Sequence, residues 1–320
     1  MPDGSLLLEG AVAPFHRHLA QGPADASARW IRAADGVRLR AVSWGRDARR
    51  GTVLLFNGRT EYAEKYGRVA ADLAARGYAT LAVDWRGQGL SDRLRSERSL
   101  GHVQRWEDYQ LDVAALVAHG RELGLPEPWF LLSHSMGGAI GLRSLLGGLP
   151  VKAAAFSAPM WGLLMTAALK PVAWSVSSMS RALALSHLLT PGQEAVTYIL
   201  RCDFADNTLT GDRETFEWLR GQVSSVPELA LGGPSLHWLN EALREMRRQM
   251  SAPAPDVPAL VVVGSDELVV DPARMRRRLQ GWPGARLVTV PTARHEVLME
   301  TPVIRARVLA EIGAHFASHA

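Results

Sequence analysis

The stretch Trp129–Phe130–Leu131–Leu132–Ser133–His134–Ser135–Met136–Gly137–Gly138 decides the reading of this chain. An apolar run of strand length gives way, with no room for a loop, to a segment of small residues and helix formers that continues to Leu146. The change from strand to helix must be made in one sharp turn, and a serine stands at its apex. Such a turn lifts the Ser135 hydroxyl clear of the sheet and aims the unpaired N–H groups of the helix start at whatever binds there. Small residues must flank the apex because strand and helix approach closely; Ser133 stands where the Gly-x-Ser-x-Gly pattern of a nucleophile elbow has its first glycine. A serine hydroxyl becomes reactive only when a base takes its proton and a carboxylate orients that base.

Outward from the turn, short apolar runs alternate with helical segments. Residues 29–33 and 37–44 flank the turn dipeptide Asp35–Gly36 and read as a β-hairpin. Runs at 52–56, 79–83, 129–133 and 152–157 read as buried strands, with helical stretches at 62–76, closed by Gly77, and at 106–123. The rhythm stops near Pro159. It resumes with a strand at 258–263, a helix at 272–280, a strand at 285–290 and a last helix from 302 to about 317. This alternation predicts an α/β fold with a mostly parallel central sheet flanked by helices. We expect residues 1–28 to form a leader, 29–159 and 256–320 the core, and 160–255 a helical cap inserted between the sixth and seventh strands. Within the insertion Leu236, Leu239, Leu243, Met246 and Met250 recur at helical spacing, a face suited to packing on the body or lining a substrate tunnel.

Functional loops of open α/β sheets gather beyond the carboxyl ends of the strands. Two loops there carry the chemistry the serine needs. The run 258–263 ends in Gly264–Ser265–Asp266–Glu267, and the run 285–290 is followed by Pro291–Thr292–Ala293–Arg294–His295. His295 is the candidate base, and Asp266 and Glu267 are both candidate acids. His134, inside the turn, is expected to pack or point away.

Composition excludes other classes. With 47% hydrophobic and 21% charged residues in 320, the chain is neither a disordered tail nor a fibre nor a coiled coil. The single Cys202 cannot form an internal disulfide, which suits a reducing compartment. A net charge of +4 is small for this length, and Arg274 with Arg276–Arg277–Arg278 reads as one exposed helix face. No nucleic-acid motif, P-loop or strand-associated Gly-x-Gly-x-x-Gly is present, so neither a nucleic-acid partner nor a nucleotide cofactor is expected. Asp203, Asp206, Asn207 and Asp212 lack the glycine and spacing of a calcium loop, and no metal is expected. Met1–Pro2–Asp3–Gly4–Ser5 has no basic region, Leu6–Leu7–Leu8 is too short for a signal sequence, and no uncharged apolar stretch reaches the ~18 residues of a membrane span. The expectation is a cytoplasmic chain able to visit a membrane surface.

Taken together, Asn57–Gly58, Asp84–x–Arg86–Gly87–x–Gly89–x–Ser91, Ser133–x–Ser135–x–Gly137–Gly138, Gly264–Ser265–Asp266–Glu267 with Val269–Val270–Asp271, and His295–Glu296 resemble the α/β-hydrolase superfamily. More narrowly they resemble its branch of bacterial lysophospholipases and monoacylglycerol lipases, also called serine aminopeptidase-like hydrolases. The resemblance runs from about residue 29 to the end; in the insertion it includes Asn207–x–Leu209–Thr210–x–Asp212 and Gly232–Gly233–Pro234–x–x–x–Trp238, which have no assigned chemical role. It implies that Ser135 attacks an ester, that His295 is the general base, and that the backbone N–H groups of Arg59 and Met136 form an oxyanion hole. Relatives usually have His-Gly where this chain has Asn57–Gly58, a change that leaves the backbone donor in place. It favours Glu267 over Asp266 as the acid, since relatives carry it three residues after the strand-end glycine. The implied substrate is a small lipid-like ester, a lysophospholipid or monoacylglycerol, cleaved without cofactor. A short-chain esterase, a thioesterase, a proline-type aminopeptidase and a catalytically silent binding protein are the alternatives on the same fold. The Asp84–Gly89 loop is expected to shape the site rather than to react.

Overall fold

Residues 52–56, 79–84, 129–134 and 259–264 are buried along their whole length and form the middle of the sheet. A computed structural model describes residues 10–320; the reading of the extreme N-terminus falls outside the described residues. In chain order the elements are α1 (Arg17–Ala20), β1 (Ser27–Arg32), β2 (Arg38–Trp44), β3 (Thr52–Phe56), α2 (Gly67–Ala74), β4 (Ala79–Asp84), α3 (Tyr109–Glu122), β5 (Trp129–His134), α4 (Met136–Leu146) and β6 (Ala154–Ser157). They continue with α5 (Leu169–Ala182), α6 (Tyr198–Arg201), α7 (Arg213–Ser225), α8 (Leu236–Ser251), β7 (Ala259–Gly264), α9 (Pro272–Leu279), β8 (Arg286–Val290) and α10 (Pro302–Ala317). The strands form one eight-stranded sheet in the order β1-β2-β4-β3-β5-β6-β7-β8. β2 is antiparallel to both its neighbours, and every other pair is parallel, the mostly parallel α/β sheet that the alternation predicts.

Side chains of successive strand residues point to opposite faces, so each central strand feeds two cores. Val53 and Leu55 pack with Tyr66, Leu73 and Phe316 on one face. Leu54 and Phe56 pack with Trp106, Ile140 and Trp161 on the other. β7 divides in the same way, Leu260 and Val262 against Val261 and Val263.

Between β6 and β7 the chain runs through α5 to α8. α8 is seated on the body: Trp238, Ala242 and Met246 join the core that holds Phe56. The apolar spacing finds this helix but not all of its buried face, which also carries Glu241, Glu245 and Gln249. Each has a partner far away in sequence. Glu241 accepts the Trp106 N–H (3.0 Å), Glu245 pairs with Arg143 (2.6 Å), and Gln249 donates to the Ala139 carbonyl (2.6 Å). α5, by contrast, leaves Leu169, Val172, Val176 and Met179 exposed. No helix among the described residues is long and apolar enough to cross a membrane.

Two local expectations are corrected. The single helix read at 62–76 is a 3₁₀ turn, Ala63–Tyr66, followed by α2. The turn is fixed from outside, because the Ala63 N–H is taken by Asp84 Oδ1 (2.9 Å) and Glu64 by the buried Arg40 (2.6 Å). Nor do the arginines of α9 share one exposed face. At about 100° per residue, positions 274, 276, 277 and 278 cannot do so. Arg276 and Arg277 face water, whereas Arg278 turns inward, donates to the Pro253 carbonyl (2.7 Å) and packs on Trp282.

Candidate active site

Ser135 joins β5 directly to α4 with φ +48° and ψ −114°. That conformation costs a residue with a Cβ about 1–3 kcal/mol and persists only where its surroundings fix it. Here the Ser135 N–H donates to the Ser157 carbonyl (3.0 Å), and the Ser135 carbonyl accepts from Gly138 (2.9 Å) and Met160 (2.8 Å). A Cβ at Gly137 would stand 2.1 Å from the Phe56 carbonyl oxygen, so the contact between α4 and β3 requires glycine. Met136 opens α4, and its N–H has no intrahelical acceptor. Among the described residues neither that N–H nor the Arg59 N–H donates to the protein.

His295, on the loop after β8, brings Nε2 to 3.0 Å from Ser135 Oγ. Its Nδ1 lies 2.8 Å from Glu267 Oε2, on the loop after β7. The other oxygen, Oε1, accepts the N–H groups of Val269 (2.6 Å) and Val270 (3.0 Å). Burial pushes the Glu267 carboxyl up, but the His295 hydrogen bond and charge, with the two backbone donors, hold it below its ordinary value. Asp266, the other candidate acid, is exposed and accepts from the Ser265 hydroxyl (2.8 Å). The two neighbours in sequence turn opposite ways at the loop, so Glu267 alone meets the imidazole.

His134 lies behind this line, its ring 4.9 Å from that of His295. Its Nδ1 is 3.1 Å from both the carbonyl and the hydroxyl oxygen of Ser157. Burial lowers its pKa to about 3, so it stands neutral. Beside it is a buried charged cluster that the sequence reading missed. Lys65 Nζ lies between Glu61 (2.6 Å) and Glu296 (2.7 Å). Glu61 also accepts the Tyr66 hydroxyl (2.6 Å) and the Gly58 N–H, fixing the turn that presents Arg59. Glu61, His134 and Glu296 are grouped closely enough to ligate a cation, but the Lys65 ammonium already occupies the place between the two carboxylates. The four-residue spacing of Glu61 and Lys65 was the one signal available in sequence. The Asp84–Gly89 loop supports the same turn: the Trp85 indole donates to the Asn57 carbonyl (2.9 Å) and Gln88 to that of Gly58 (2.8 Å).

The segment Asn207–x–Leu209–Thr210–x–Asp212 holds the histidine loop in place. The His295 and Glu296 N–H groups donate to the Thr208 (3.3 Å) and Leu209 (2.8 Å) carbonyls. Arg294 donates to the Asn207 carbonyl (2.6 Å), and Thr210 Oγ1 to that of Met299 (2.8 Å). Asn207 Oδ1 closes the segment on itself by accepting from Leu209 (2.9 Å) and Thr210 (3.0 Å).

Ser135 and His295 open onto a cavity of about 540 Å³ between the sheet edge and the insertion. Leu163, Leu169, Val176, Leu219, Leu236 and Leu239 supply much of its apolar wall. The size falls within the roughly 300–1,000 Å³ typical of small-molecule sites.

Residues 47–302 match the family described as serine aminopeptidase, S33. The chain belongs to the serine aminopeptidase S33 family of α/β hydrolases. Membership makes it a serine hydrolase. It is 32% identical over 303 residues to lysophospholipase L2 of Escherichia coli K12, covering 89% of this chain and 86% of that protein. It is 27% identical over 272 residues to the probable lysophospholipase L2 of Haemophilus influenzae, covering 83% of each. The fold also matches a soluble variant of the monoglyceride lipase of Saccharomyces cerevisiae, solved with a substrate analog, at a TM-score of 0.73 and 19% identity over 96% of this chain and 99% of that one.

Proposed function

We propose that the chain hydrolyses the carboxylic ester of a lipid with a single acyl chain, a lysophospholipid or a monoacylglycerol, through an acyl-enzyme on Ser135. The observation that carries this reading is the hydrogen-bonded line Ser135–His295–Glu267 at the wall of a large apolar cavity. In the proposed mechanism His295 Nε2 takes the proton of Ser135 Oγ as the oxygen attacks the ester carbonyl carbon. Glu267 holds the imidazole in the tautomer that leaves Nε2 free to accept and stabilises the imidazolium that forms. The N–H groups of Met136 and Arg59 receive the negative oxygen. Collapse expels the alcohol, which takes the proton from His295. Water, deprotonated by the same imidazole, then releases the fatty acid and restores the hydroxyl.

The similarity to lysophospholipase L2 supports the lipid substrate. So does the cavity, where each buried CH₂ contributes about 0.8 kcal/mol to holding an acyl chain. An aminopeptidase would need a carboxylate to meet the substrate amine, and the lining carboxylates Glu61 and Glu296 are both bound to Lys65. Residues 160–255 form the cap of this reading, and the exposed apolar side chains of α5 suit peripheral contact with a membrane. Cys202 as the sole cysteine fits a cytoplasmic location.

The test is an ester series of rising acyl length, assayed with and without lipid vesicles, on the parent chain and on Ser135→Ala. Turnover should rise with chain length and vanish in Ser135→Ala, which should also lose labelling by a serine-reactive phosphonate. Normal turnover in Ser135→Ala would end the serine mechanism, and a preference for acetyl esters would end the lipid assignment.

A further inference from the structure

Arg59 was singled out above for its backbone N–H, but its side chain is the more unusual feature. Arg59 lines the cavity that holds Ser135 and His295. Among the described residues it meets no carboxylate, in contrast to Lys65, the other basic residue of the wall. Of its five N–H donors, one is used: Nη1 donates to the Gly232 carbonyl (2.8 Å). The group also lies 5.8 Å from the Trp238 ring centroid. Burial lowers its pKa to about 10, which leaves it cationic at neutral pH.

Both of those partners belong to Gly232–Gly233–Pro234–x–x–x–Trp238, the segment of the insertion that had no assigned role. It is built to keep the Gly232 carbonyl where it is. A Cβ at Gly232 would stand 2.3 Å from the Ala195 carbonyl oxygen. The Gly233 carbonyl accepts the Gly101 N–H (3.0 Å), and Trp238 donates to the Tyr109 hydroxyl (3.2 Å). The segment thus holds a cation with vacant donors at the wall of an otherwise largely apolar cavity. A buried cation left unpaired is costly, and an anion brought by a ligand removes that cost.

We propose that the Arg59 guanidinium binds the phosphodiester of a lysophospholipid headgroup and selects such substrates over neutral monoacylglycerols. The inference rests on the lipid-ester reading above and narrows it. Its geometry follows from the substrate: three glycerol carbons separate the ester from the phosphate, so the anion falls beside the reacting carbonyl rather than on it. Arg59 spans the same two places, its backbone N–H at the carbonyl and its side chain reaching towards the insertion. A guanidinium meets two phosphate oxygens at once through parallel donors. A monoacylglycerol offers only a hydroxyl there.

The experiment measures kcat/KM for a lysophosphatidylethanolamine and a monoacylglycerol of the same acyl chain, in the parent and in Arg59→Gln and Arg59→Lys. Any disturbance of the Arg59 N–H lowers both rates, so the ratio between the substrates is the readout. A lost charge-assisted hydrogen bond is worth about 10- to 100-fold, and Arg59→Gln should lower the ratio by that factor, chiefly through KM for the phospholipid. Arg59→Lys should recover part of it. An unchanged ratio in Arg59→Gln, or equal recovery of both substrates in Arg59→Lys, would make the guanidinium only a strut to Gly232 and overturn the proposal. Inhibition of both reactions to the same extent by submillimolar inorganic phosphate, lost in Arg59→Gln, would make free phosphate the ligand and overturn the headgroup assignment. A parent chain that turns over neither lipid while cleaving short esters refutes the underlying reading instead, a result distinct from a constant ratio on active enzyme.

Discussion

The substitution Glu267→Gln isolates one contact of the proposed mechanism with little change of shape. In the structure Glu267 Oε1 accepts two backbone N–H groups, from Val269 and Val270, and Oε2 accepts from His295 Nδ1. A glutamine has one oxygen and one NH₂ to place there. If the oxygen keeps the two backbone donors, the NH₂ faces Nδ1 and forces the imidazole into its other tautomer, with the proton on Nε2. If the amide turns over, its NH₂ meets two N–H groups at about 3 Å, which is worse by two clashes of donors. The first arrangement therefore wins, and its imidazole cannot accept the Ser135 proton. A wrong tautomer of this kind lowers kcat by about 10³- to 10⁴-fold, or ~4–5.5 kcal/mol of transition-state stabilisation. Substrate binding is untouched, so KM should stay within about threefold. The assay is initial rates on a medium-chain ester, with thermal unfolding to show that the variant is folded. Asp266→Asn, at the exposed neighbour, should change kcat by less than about twofold. Retention of more than a tenth of the activity in Glu267→Gln, or a hundredfold loss in Asp266→Asn, would refute the reasoning.

Two further outcomes follow from other parts of the site. Asn207→Ala removes the acceptor that closes the segment under His295, which should cost about 1–3 kcal/mol in urea unfolding and lower kcat as the histidine loop loosens; an unchanged kcat would separate the segment from the reaction. His134 links stability to pH. Its folded pKa of about 3 lies below the ordinary 6.5, so the unfolded chain binds the proton first, and its share of stability, present above about 6.5, is lost as pH falls towards 3. Thermal midpoints of the parent should therefore fall more steeply over that window than those of His134→Asn, and parallel curves would contradict the assignment.

Some of this molecule could be read directly from its residues and some could not, for reasons that particular elements make plain. α4 begins and ends where the sequence places it, because a serine at a sharp turn and a run of small residues are local signals. Only the resemblance to relatives favours Glu267 over Asp266, and the residues by themselves leave both open, since which of two adjacent side chains faces the histidine depends on the path of a loop. On α8 the periodicity found the apolar stripe and missed Glu241, Glu245 and Gln249, whose burial is balanced by groups more than 100 residues away. The Lys65 cluster is of the same kind: its Glu61 partner is local, but Glu296 comes from the far end of the chain. Sequence spacing reports what a helix or strand does for itself; it carries little about charges that meet only after folding.

The hydrogen bonds between residues 207–210 and the loop of His295 set a limit on how this architecture can be rearranged. The excursion between β6 and β7 is not a detachable module placed over a finished sheet. Exchanging it for that of a related hydrolase would require the acceptor carbonyls at 208 and 209 to be carried across together with the loop they hold, and a graft that spared only Ser135, His295 and Glu267 would leave the imidazole without its scaffold.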